Sequence, residues 1–278
     1  HAVLTNSCTT SLHMSLLMAG VGPGDEVITT PLSYVSTSNA ILYCGGTPVF
    51  VDVEPDTRLI DATKIEKAIT SKTKAILPVH LYGQMADMKA ISKIAEEHHL
   101  AVIEDAAHAV EARRDGLQPG QAGFSACFSF HVAKNITAGE GGAIVTNHKN
   151  TYELAELLRR DGVRNIDKKR RMEVLGFKYL TTDFQAAMLN SQLGRVDQQW
   201  SARKKIYKNY SDAFAKIPEI GFPKTYSSSK HACHMFVVWV DPERRDEIRK
   251  SLENAGIDTS IHYEPIHLEP YYRERFGY

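Results

Sequence analysis

The sequence predicts an α/β protein: a mostly parallel sheet with helices on both faces, followed by a smaller C-terminal α/β unit. Three observations carry that prediction. Short, mostly apolar runs alternate with helical patterns over much of the chain, as in a parallel sheet covered on both faces. Glycine and proline punctuate the helix ends, as in Gly20-Val21-Gly22-Pro23-Gly24. After Val240 a second, shorter round of helix and strand patterns follows. We expect a large domain over 1–200, then a linking helix and small domain over 201–278.

The elements follow in order. Leu12–Ala19 has apolar residues at helical spacing, and Glu26–Thr29 reads as a short strand. Ser36–Tyr43 is a helix stopped by Gly45-Gly46, and Val49–Val53 a strand. Asp61–Ile69 is helical, Ala75–Val79 a strand, Ala86–His98 a helix and Ala101–Glu104 a strand. Phe124–Phe130 alternates large and small residues, a strand with one packed face and one face of Ser, Cys and Ser. Ala143–Thr146 is a strand, Thr151–Arg159 a helix, and the polar, basic run to Arg171 a loop. Thr182–Phe214 is a long helical pattern with a break near Gly194. Met235–Val240 (strand), Pro242–Ala255 (helix) and Ile257–His262 (strand) make the small unit.

Composition excludes several classes. Lys+Arg and Asp+Glu both number 33, so no global field draws the chain to nucleic acid or a membrane. No apolar run approaches the ~20 residues of a membrane-spanning helix, and the sequence shows no basic start followed by an apolar signal-like stretch. Four separated cysteines without a CxxC pair read as reduced thiols, which predicts a cytoplasmic protein. His231/His234 and His262/His267 match no zinc signature, and we assign no metal. The chain opens at His1 inside a folded element and stops at Tyr278 after a helix-like segment, so we expect a fragment.

The chemistry lies in two blocks. Glu104-Asp105 closes the apolar run Leu100–Ile103, and Lys134 sits between a strand ending Phe128-Ser129-Phe130-His131 and the cluster Gly139–Gly142. Pyridoxal 5'-phosphate chemistry needs this pair: a lysine forms a Schiff base with the aldehyde, and a carboxylate keeps the pyridine nitrogen protonated. The hydroxyl cluster Ser7-Cys8-Thr9-Thr10 opens the first helix, whose N-terminus suits a phosphate monoester, and Ser129 can add a hydroxyl to it. Tyr34 can stack on the ring and His108 can touch the ring hydroxyl. Each residue by itself has a plainer reading: Asp105 a turn acid, Lys134 a solvated lysine, Ser129 a strand hydroxyl, the Ser7 cluster a helix cap. Their convergence favours the cofactor. Gly20–Gly24 is a turn rather than a dinucleotide loop.

The blocks Thr5–His13, Gly22–Ile28, Thr47–Val53, Pro78–Gly83, Glu104–Ala109 and Ser129–Asn135 resemble, in order, the DegT/StrS-type nucleotide-sugar aminotransferases. His-Ala after the aspartate, Ser-Phe-His and Tyr271–Phe276 look most like the UDP-4-amino-4-deoxy-L-arabinose aminotransferases of lipid A modification. The resemblance implies a fold-type I pyridoxal-phosphate homodimer with its active site at the subunit interface. It implies Lys134 as Schiff-base lysine, Asp105 as pyridinium partner, His108 at the ring hydroxyl and Tyr34 in the stack. Thr9, Thr10 and Ser129 fall in the phosphate cup, and Lys178 of Gly176–Leu180 reaches the phosphate from the neighbouring subunit, where many relatives have Asn. The implied substrates are an amino-acid donor, glutamate, and a keto-sugar nucleotide, whose diphosphate makes Arg159, Arg160, Arg164 and Lys168–Arg171 candidates along its path. His262 and His267 are candidates for the pocket. Relatives extend beyond both ends of this sequence. Two rivals stand: a sugar dehydratase of the same family, whose members carry His in place of Lys134, and a non-catalytic protein of the same fold.

Overall fold

The computed structural model describes residues 1–278. The chain begins β1 (Ala2–Thr5), α1 (Cys8–Met18), β2 (Glu26–Thr29), α2 (Ser36–Tyr43), β3 (Thr47–Phe50) and α3 (Ala62–Ile65). It continues β4 (Thr73–Leu77), α4 (Met88–Glu97), β5 (Ala101–Asp105), a two-residue strand β6 (Arg113–Arg114), β7 (Ser125–Ser129), β8 (Gly142–Val145) and α5 (Lys149–Leu158). Seven of these strands form one sheet in the order β1-β8-β7-β5-β4-β2-β3. Only β8 runs against its neighbours.

Both faces of the sheet are buried, so side chains alternate between two cores. Val27, Leu77, Ile103, Cys127 and Ile144 pack with Leu12 and Leu16 of α1 and Ile41 of α2. Ile28, Ile76, Val102 and Ala126 pack on the other face with Ile65 of α3 and Ile91 of α4. The period of two therefore fixes where the strand-end polar groups point. Asp105 and Ser129 continue the Ile103/Cys127 row and face α1 and α2, whereas Glu104 continues the opposite row.

Two regions depart from the sequence expectation. The run to Arg171, expected as a loop, is a hairpin of β9 (Val163–Ile166) and β10 (Lys169–Met172). Its turn residues Asp167 and Lys168 both have positive φ, 49° and 64°, which suits a two-residue hairpin turn. Its strands are charged and exposed, so no buried face marks them in the sequence. The strands expected at Met235–Val240 and Ile257–His262 do not form. The first makes one bridge, Trp239 with Gly221, and its backbone otherwise leans on Tyr82. A strand needs a neighbouring ladder, and here Phe236 packs on α7 while Met235 and Val237 lie against Leu59, Val79, Leu81 and Tyr82.

The long helical pattern breaks as expected, into α6 (Asp183–Leu193) and α7 (Val196–Phe214). Thr182 and Gln185 form a reciprocal cap on α6. Tyr207, Tyr210 and Phe214 of α7 gather around Phe236. Beyond α7 come β11 (Ser229–Lys230), paired with β6, then α8 (Arg245–Asn254) and α9 (Pro270–Phe276). No helix is long and apolar enough to cross a membrane.

Candidate active site

Strands β1, β5 and β7 run parallel and end at Thr5, Asp105 and Ser129, at the edge where ligands gather in open α/β sheets. Helix α1 starts three residues after β1. Its cap Ser7 is extended (φ −166°, ψ 162°) and its hydroxyl accepts the Thr10 N–H at 3.2 Å. Gly142 makes this start possible. A Cβ there would lie 2.3 Å from the Ser7 carbonyl carbon, so any larger residue would push α1 off the sheet.

A cavity of about 460 Å³ opens at this edge. Thr9, Tyr34, Asp105, His108, Ser129 and Lys134 all line it, together with Ser7 and Cys8. Six of the eight residues picked from the sequence thus meet in one place. Thr10 does not: its hydroxyl donates to Asn6 Oδ1 at 2.7 Å and braces the cap from outside the cavity. Lys178 is also elsewhere, 3.4 Å from Asp161 in a separate depression between α5 and the hairpin. Arg160, Arg164 and Arg170 share that depression, while Arg159 holds the Leu4 carbonyl and Glu156. Of the two C-terminal histidines, His262 lines the cavity, whereas His267 stands against Phe50 and Tyr278.

The charges in the cavity are held away from their ordinary states. Asp105 is 5% exposed; Thr37 donates to its Oδ2 at 2.8 Å and Ala107 N–H to its Oδ1 at 3.1 Å. Burial raises its carboxyl above the usual range, against the pull of those two donors, Lys134 and His80. Burial lowers the Lys134 amine, opposed by Asp105 and Cys8. His108 is pushed well below its usual value, by burial first and by Lys134, His234 and His262 after it. Its Nδ1 accepts the Tyr82 N–H at 3.2 Å, so the neutral ring carries its proton on Nε2, 3.4 Å from the Tyr263 hydroxyl. Tyr82 sits at φ 58°, a left-handed conformation costly for an aromatic residue, and it is this residue that fixes the tautomer.

This donor set fits pyridoxal phosphate. A buried carboxyl with no cation bonded to it suits a ring nitrogen, a desolvated amine suits an aldehyde, and a capped helix start beside Ser129 suits a phosphate. Among the cavity residues that the sequence did not single out are Thr37, which holds Asp105, and His131, Glu140 and Tyr263. Glu140 lies inside the glycine cluster and His131 ends the strand block, so their neighbourhood was legible. Tyr263 arrives by the return of the C-terminal segment, for which no local signal exists.

Residues 1–278 match the model of the DegT/DnrJ/EryC1/StrS aminotransferase family. The chain belongs to that family. It is 39% identical to the spore coat polysaccharide biosynthesis protein SpsC of Bacillus subtilis (strain 168), over 100% of this chain and 75% of that protein. It is 41% identical to GDP-perosamine synthase of Caulobacter vibrioides, over 98% of this chain and 74% of that one. The solved structure of S. venezuelae DesV superposes with a TM-score of 0.93 and 40% identity, over 99% of this chain and 73% of that one. This member of the family is a pyridoxal-phosphate-dependent aminotransferase with the fold of that class.

Proposed function

We propose that this aminotransferase moves an amino group from glutamate to a keto-sugar nucleotide, a UDP- or dTDP-linked 4-keto-hexose or pentose, for cell-surface polysaccharide or lipopolysaccharide synthesis. The observation that carries the residue assignment is the meeting of Lys134 and Asp105 in one cavity beside the capped start of α1. The sugar reading is supported by the names of two relatives, a polysaccharide biosynthesis protein and a GDP-perosamine synthase. The second of these adds GDP to the nucleotides worth testing.

When bound, pyridoxal phosphate supplies an aldehyde that carries the amino group and a ring that withdraws electrons. In our reading Lys134 Nζ anchors it and then serves as the general base. It takes the proton from the donor's α-carbon and, in the second half-reaction, delivers one to the former carbonyl carbon of the sugar. Desolvation suits the amine to that work. Asp105 holds a proton on the ring nitrogen, and Thr37 and Ala107 hold Asp105. His108 offers its Nε2–H to the ring hydroxyl, Tyr34 flanks the ring, and Thr9 and Ser129 bind the phosphate while Thr10 braces the start of α1. Lys178 reaches a phosphate only across a homodimer interface, which is part of the proposal. The four free thiols support a cytoplasmic setting.

The test is the visible spectrum of the purified protein with pyridoxal phosphate, before and after glutamate, with borohydride trapping. A visible band that glutamate bleaches, trapped on the Lys134 peptide, is expected, and Lys134→Ala should lose turnover while keeping its fold. Trapping on another lysine, or activity in that variant, would overturn the assignment. UDP-, dTDP- and GDP-linked 4-keto sugars then identify the acceptor.

A further inference from the structure

Behind Lys134 stands a cluster of half-buried polar side chains around the buried Glu111 that the proposed reaction does not use. From Phe130 to Ala138 the chain is irregular, and within the turn the Lys134 N–H bonds only to the His131 carbonyl, at 2.9 Å. Asn135 supplies what the backbone lacks. Its Nδ2 donates to Glu111 Oε2 at 2.8 Å and to the Ala232 carbonyl at 3.0 Å, which fixes the orientation of the amide. Its Oδ1 then faces His234 Nδ1 at 3.0 Å, so that nitrogen carries the histidine's proton. The other Glu111 oxygen pairs with Arg203 of α7, and the His234 ring lies over His108 with centroids 4.5 Å apart. One amide thus ties the Lys134 turn to α7, to the returning C-terminal segment and to the ring beside the cofactor site.

We propose that Asn135, oriented by Glu111 and His234, is a positioning residue that holds the Lys134 amine in place against the wall bearing His108. The inference rests on the reading of Lys134 as the covalent lysine. Asp105, Cys8, His108 and His234 are the titratable groups that face Lys134, and its amine is lowered chiefly by burial. Releasing the turn lets water reach the amine, which moves its titration back toward the ordinary lysine value.

The experiment follows acetic anhydride labelling of Lys134 against pH in cofactor-free protein, read by peptide mass spectrometry, alongside melting temperature. Asn135→Ala should raise the labelling midpoint by about one pH unit. His234→Phe keeps a ring on His108 but loses the donor, and should move the midpoint the same way. His234→Asn keeps a donor for Asn135 and should restore the wild-type midpoint. If Asn135→Ala does not fold, the two His234 variants decide. Midpoints within about 0.2 unit of wild type in Asn135→Ala and His234→Phe, despite lower melting temperatures, would overturn the proposal. So would equal shifts in both His234 variants. Borohydride trapping at a different lysine in the wild type would instead fail the Lys134 reading and leave the labelling comparison intact.

Discussion

Strand β5 ends in two adjacent carboxyl groups that face opposite sides of the sheet. Glu104 is 0% exposed and bonded at both oxygens: His80 Nε2 lies 2.8 Å from Oε2, and Gly120 N–H donates to Oε1 at 3.0 Å. Ala86 N–H donates to His80 Nδ1, so the proton of His80 sits on Nε2 and points at Glu104. Asp105, one residue on, has two neutral donors and a cavity. The contrast teaches how a single strand serves both scaffold and chemistry. Each carboxyl accepts one neutral donor per oxygen, so the difference lies in what surrounds them: Glu104 is sealed between the loops it ties together, whereas Asp105 lines a cavity, where its charge is unfavourable until a ligand supplies a partner.

Asp105→Asn breaks the contrast most strongly. Activity should fall about 10³-fold, roughly 4 kcal/mol of barrier, while the melting temperature of the cofactor-free protein holds or rises. The sign follows from burial: a carboxyl whose folded pKa is raised costs stability at neutral pH, and a neutral amide removes that cost. Glu104→Gln should do the reverse. Its new N–H₂ group faces the His80 Nε2–H, and His80 cannot switch tautomer without losing Ala86, so chemical denaturation should show a loss of about 3 kcal/mol. Activity per folded molecule should change only a few-fold.

Acidification probes a second kind of burial, because His231 and His234 of the returning C-terminal segment are held neutral rather than paired with a carboxylate. Burial lowers His231 to about 4 and His234 to about 3. A histidine with a depressed folded pKa contributes stability that is complete above about pH 6.5 and is lost as pH falls toward the folded value. Stability measured by urea titration should therefore drop between pH 6.5 and 5, by about 2 kcal/mol for His231. A flat profile would contradict that burial. The smallest expected effect is that of Thr37→Val. It removes one donor from Asp105 and should cost about 1 kcal/mol in transition-state stabilisation, read as a several-fold lower kcat/KM.

The parts of this molecule that the sequence discloses are those governed by local periodicity. Ser36–Tyr43 was readable to the residue because two glycines stop it, and β2 because a short apolar run has nowhere to go but a sheet. Asp105 and Lys134 were readable because strand ends and glycine-flanked turns have local signatures. The hidden parts depend on distant partners. Strand β1 is only four residues long and is defined by its ladder with β8. The hairpin has no buried face, and the run from Met235 alternates like a strand yet finds only Gly221 to pair with. Tyr263 and the Asn135 hub exist only once the C-terminal segment folds back over the sheet. Lys178 had a plausible role by resemblance, but within one subunit it meets Asp161 instead.

The most direct test pairs two variants at the end of β5. Asp105→Asn and Glu104→Gln are compared for melting temperature without cofactor and for the glutamate-dependent loss of the visible band with it. The account predicts a stable Asp105→Asn protein with no glutamate response and a less stable Glu104→Gln protein that responds. A responsive Asp105→Asn variant, or a Glu104→Gln variant that is fully stable and unresponsive, would contradict it.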